Sequence, residues 1–172
     1  MKNTKEHILE LKSKEALDEY IQWVGTDAQK FEELMVHFFS TELRVNQRAS
    51  WPVGKIGERY PELIRPYLPK MIEHLDQPSH AAVKRNTVRI LADIELPEAL
   101  LGPTYERCFG YLNDPEEPIA IRVFSMSVCF NITKVYPELG DELYEAIEFY
   151  LPHGSAGFKS RGKKVMKALK KR

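Results

Sequence analysis

Residues 157–164, GFKSRGKK, space Gly157, Gly162 and Lys163 like the G-x-x-x-x-G-K loop that cradles nucleotide phosphates in backbone N–H groups. That chemistry needs a strand before the loop, a helix after it, and a Ser or Thr to hold Mg²⁺. Here the preceding YEAIEFYLPH, 144–153, has helical spacing. Lys164 stands where the hydroxyl residue would be, and eight residues follow it. The expectation is an inter-helix turn that opens a last helix, with no nucleotide.

Other reactive residues form no constellation. The five histidines, His7, His37, His74, His80 and His153, are scattered, with no H-E-x-x-H and no Cys/His ligand spacing. Cys108 and Cys129 lie outside any C-x-x-C and inside apolar periodic segments, so they read as reduced core thiols. There is no G-x-S-x-G, and the pairs Glu32–Glu33 and Glu116–Glu117 read as solvated faces. The expectation is no catalytic residue, no metal and no cofactor.

A basic stripe is more informative. With Arg44 at 0° and 100° per residue, Arg44, Arg48, Trp51, Lys55 and Arg59 fall within a sector of roughly 80°. Val45, Ala49, Val53, Ile56 and Tyr60 form an adjoining core stripe. Lys84, Arg85 and Arg89 continue the basic character further on. It fades at Arg122, which is followed on that face by Met126, Cys129 and Thr133, and returns at Lys159, Arg161, Lys163 and Lys164. Such a face can grip phosphates or acidic side chains, with Trp51 available for stacking or cation–π contact. Arg48, Arg85 and Arg122 are expected to be paired at a core edge, which leaves Arg44, Lys55, Arg59 and Arg89 as the better candidates for partner contact.

The elements that must carry these residues are all helical. The 172 residues suit one domain, and 43% hydrophobic residues can fill a core. Basic and acidic residues balance at 25 each, but 158–172 holds eight basic residues and no acidic one. MKNTKEHILELKSKEALDEY has no apolar core of a secretory signal, and no stretch reaches the roughly 18 apolar residues of a membrane span. A cytoplasmic protein with no membrane attachment is expected.

The chain also repeats itself. Arg48, Arg85, Arg122 and Arg161 recur at intervals of 37, 37 and 39 residues. YPEL occurs at 60–63 and 136–139, with LPEAL at 96–100 between them. Asp76–Pro78 and Asp114–Pro115 each precede the next arginine. First helices show i, i+3, i+4 spacing at Phe31, Leu34, Met35, Phe38; Ile64, Leu68, Met71, Leu75; Leu101, Tyr105, Cys108, Leu112; and Leu139, Leu143, Ile147, Leu151. Second helices are expected at 43–60, 80–95, 118–136 and about 156–171. Residues 5–24 read as one further amphipathic helix.

LNDPEEPIAIRVFSMSVCFNITKVYPEL, 112–139, resembles the HEAT-repeat pattern: an Asp-Pro turn, then the aliphatic–Arg pair Ile121–Arg122 opening the second helix. HLDQPSHAAVKRNTVRILADI, 74–94, is a looser copy, and the resemblance extends over about 27–171. It implies an all-α, right-handed α-α superhelix of about four helix pairs behind an N-terminal capping helix. The expected layout is a single 1–172 domain, with the cap at 1–26 and repeats at about 27–61, 62–97, 98–137 and 138–172. It also implies that second helices line a concave face, and that Arg48, Arg85 and Arg122 form a ladder to Asp76 and Asp114. A fainter resemblance joins Trp51 and the basic stripe to HEAT-like alkylpurine DNA glycosylases, from which no catalytic residue carries over. Two functions follow as expectations. One is a non-catalytic scaffold that binds a protein partner through the second-helix face. The other is nucleic-acid binding through a basic groove. The homo-oligomeric state is left open.

Overall fold

A computed structural model describes residues 4–171, and every regular element among them is helical. The helices are α1 (Thr4–Leu9), α2 (Lys14–Val24), α3 (Ala28–Phe38), α4 (Leu43–Arg59), α5 (Pro61–Ile64), α6 (Leu68–His74), α7 (Ala81–Asp93), α8 (Glu98–Leu112), α9 (Ile119–Thr133), α10 (Gly140–Tyr150) and α11 (Ala156–Leu169). The chain divides between Ile90 and Leu91 into two compact units.

In the first unit, α3 packs on α4 and both take contacts from α1. Phe31, Leu34, Met35 and Phe38 are all buried, as are Val45, Ala49, Val53 and Ile56 on α4. The expected helix at 5–24 is broken into two. Ser13 caps α2 by accepting the Ala16 N–H at 3.1 Å, so the chain restarts there and Leu11 turns inward between the two helices. The expected first helix through Ile64, Leu68, Met71 and Leu75 is also interrupted, by a 3-10 turn at Arg65–Tyr67. Pro66 and Pro69 lack the N–H that an unbroken α-helix would require. Ile64, Leu68, Met71 and Leu75 still face the core across that break. Helix α7 starts where His80 Nδ1 accepts the Ala82 N–H at 3.1 Å.

In the second unit, α9 packs against α8, α10 and α11. Leu101, Tyr105, Cys108 and Leu112 are buried on α8, as are Leu143 and Ile147 on α10 and Phe158 and Val165 on α11. Asp114 Oδ1 accepts the Glu116 N–H at 2.9 Å, closing the Asp-Pro turn before α9. Ser155 Oγ accepts the Phe158 N–H at 3.2 Å and caps α11. GFKSRGKK therefore lies within a capped helix that follows a helical turn, Leu151–His153, with no strand before it.

Candidate interaction surface

The second helices α4, α7, α9 and α11 carry all thirteen basic and aromatic residues singled out by the sequence. They separate into committed and uncommitted side chains. In the first unit Arg48 is half-buried and donates from Nη1 to the Leu11 carbonyl at 3.0 Å. Glu58 gathers two of the expected cations. Lys55 Nζ lies 3.0 Å from Glu58 Oε2, and Arg89 pairs with Oε1 from the neighbouring α7. The acid thus clamps two second helices and neutralises part of the stripe. Arg44, Arg59 and Arg85 are exposed, and Lys84 and Trp51 are half-buried. The Arg59 guanidinium sits 5.4 Å from the centre of its neighbour Tyr60's ring.

In the second unit Arg122 is structural. Its Nε and Nη2 donate to the Leu112 carbonyl at 3.1 and 2.9 Å. Its guanidinium lies 4.7 Å from the Tyr150 ring centre and 4.9 Å from that of Phe158. Tyr150 Oη in turn donates to the Asn113 carbonyl at 2.7 Å. Arg48 and Arg122 thus staple their units through main-chain carbonyls where the resemblance implied aspartates. Asp114 has already turned its carboxylate to its own loop.

Arg161 and Lys164 differ. They border a cavity of about 320 Å³, walled by Phe124, Ser127, Phe130 and Asn131 of α9, Val165 of α11, and Ala92 and Asp93 at the end of α7. Asn131 is spent on structure: its Nδ2 donates to the Ala92 carbonyl at 2.9 Å and its Oδ1 accepts from Lys134 Nζ at 2.9 Å. Ser127 Oγ donates to the Val123 carbonyl at 3.3 Å. Phe124 and Phe130 are half-buried. Lys163 points elsewhere, with Met166 and Lys167 beside Tyr144, and Lys159 is half-buried.

The aromatic walls of this cavity escape a sequence reading. Helix α9 is apolar nearly all round, so no narrow stripe marks its accessible side. The face drawn through Arg122, Met126, Cys129 and Thr133 is interior: the last three are fully buried, because α9 has neighbours on several sides. The role of Glu58 was equally hidden, since its partner Arg89 lies on another helix.

Burial pushes the Cys108 thiol up to about 12, and Cys129 is raised well above its ordinary value by burial first and the adjacent Cys108 second. Among the described residues no three His, Cys, Asp or Glu side chains come together to hold a metal ion. No helix among them is long and apolar enough to cross a membrane.

The model of the HEAT repeat domain matches residues 4–169, and the chain belongs to that family. It is an all-helical repeat scaffold for interactions, of the HEAT type. No curated protein and no solved structure matches the chain.

Proposed function

We propose that this HEAT-repeat domain is a non-catalytic interaction module that binds a protein partner through the exposed side of its second helices. The observation that carries this reading is the cavity beside α9 and α11. There half-buried rings, Phe124 and Phe130, stand next to cations that the fold does not consume, Arg161 and Lys164. Aromatic and arginine side chains are the groups that protein interfaces favour. In the first unit the half-buried Trp51 lies in the same helical sector of α4 as the exposed Arg44 and Arg59.

A nucleic-acid ligand fits less well. Glu58 neutralises Lys55 and Arg89, and Asp93 lines the cavity, so an unbroken basic track is lacking. The test is affinity capture from a native extract with the immobilised chain, beside a variant that carries Arg44→Glu and Trp51→Ala together with Arg161→Glu and Lys164→Glu. A partner that is captured by the wild type and lost by the variant is expected. Equal capture by both, or tight salt-sensitive binding of duplex DNA in its place, would contradict the reading.

A further inference from the structure

We infer that the cavity between α9 and α11 receives an acidic side chain together with an adjacent apolar one from an extended segment of the partner. This rests on the protein-partner reading above and specifies its chemistry. Arg161 and Lys164 are three residues apart on α11, hence on one face. Neither forms an ion pair among the described residues, so two like charges face one cavity with their hydrogen-bond donors unspent. A carboxylate relieves that repulsion and takes charge-assisted bonds from both. Phe124 and Phe130 supply apolar walls beside it.

The opposite end has the other sign. Asp93 ends α7, and the C-terminal end of that helix carries partial negative charge. The cavity is therefore polarised, cationic along α11 and anionic at α7. A peptide suits such a field, offering a carboxylate to one end and a backbone N–H to the other. A phosphodiester strand, negative at every step, meets Asp93 unfavourably. About 320 Å³ lies at the low end of ligand cavities, which hold roughly 300–1,000 Å³. That is space for one or two side chains, not for a docked helix.

The probes are fluorescein-labelled peptides with alternating glutamate and phenylalanine between Gly/Ser flanks, the matching glutamine peptide, the matching lysine peptide, and a mixed-sequence DNA duplex. Binding to the full chain is read by fluorescence anisotropy. The glutamate peptide is expected to bind at least ~10-fold more tightly than the glutamine one. Arg161→Ala with Lys164→Ala is expected to weaken it by about 10-fold. Arg161→Glu with Lys164→Glu is expected to reverse the preference toward the lysine peptide. Both positions are exposed, and circular dichroism checks that each variant folds.

No binding of the glutamate peptide, equal binding of the glutamine peptide, no response to either double variant, or tighter binding of the duplex with the same variant losses would each overturn the inference. The partner capture separates its failure from that of the broader reading. A partner kept by the Arg161/Lys164 variants but lost with the fourfold variant sinks the cavity inference alone. A partner kept by all of them sinks both.

Discussion

A Cβ on Gly162 would stand 2.9 Å from both Ile147 Cγ2 and Leu151 Cδ1. That close approach of α10 and α11 explains a glycine that, in sequence, imitates a phosphate loop. Gly162→Ala should therefore destabilise the second unit, by about 1–3 kcal/mol, as overpacking does, despite the better helix propensity of alanine. A urea titration followed by circular dichroism reads this, and an unchanged or raised midpoint would refute it. His74 offers a second residue-scale test. Its Nε2 is buried without a hydrogen-bond partner among the described residues, and burial first, then Lys70, holds its pKa down. Burial first, then Lys5, lowers His37 as well. The unfolded chain takes up these protons near 6.5 while the folded chain resists them. Stability should thus be full above that pH and decline as pH falls below it. Replacing both with Gln should flatten the slope of thermal midpoint against pH between about 7 and 5.5. At this scale the sequence is only partly legible. Composition and spacing dismiss the nucleotide loop, but the contact that demands Gly162 lies on another helix.

Helix pairing was read most fully. Second helices expected at 43–60, 80–95, 118–136 and about 156–171 are found at Leu43–Arg59, Ala81–Asp93, Ile119–Thr133 and Ala156–Leu169. Apolar periodicity is a local signal, so it survives without tertiary knowledge. The two misjudged helices failed for local reasons too, Ser13 capping a restart and Pro66 with Pro69 interrupting a turn. Ion pairs between helices are not local. Glu58 sits on the solvent side of α4 and looks like an ordinary surface acid until α7 brings Arg89 beside it. Glu58→Gln should release both Lys55 and Arg89. Stability should change by no more than about 1 kcal/mol, because the pairs are part-exposed. Retention on a heparin column should rise, since two cations lose their internal counter-charge. Unchanged retention would mean that Glu58 does not mask the face.

At the scale of the molecule, net charge is silent about the face proposed to bind. The balance of 25 basic and 25 acidic residues gives no hint of a binding face. The division of second-helix cations into those bound by the fold and those left over appears only in three dimensions. Arg48 and Arg122 are spent on carbonyls, Lys55 and Arg89 on Glu58, and Arg161 and Lys164 remain at a cavity. The family match reaches back to residue 4, so α1 and α2 fall within the HEAT domain itself, where the repeat pattern in the sequence was visible only from about residue 27. Hydroxyl-radical footprinting of the chain with and without its captured partner tests the central claim most directly. Trp51, Phe124 and Phe130 report on the second helices, and Phe149, 75% exposed on the first helix α10, serves as control. Second-helix binding predicts that oxidation of the first three falls in the complex while Phe149 reacts as before. Protection of Phe149 with the three second-helix rings unchanged would contradict it.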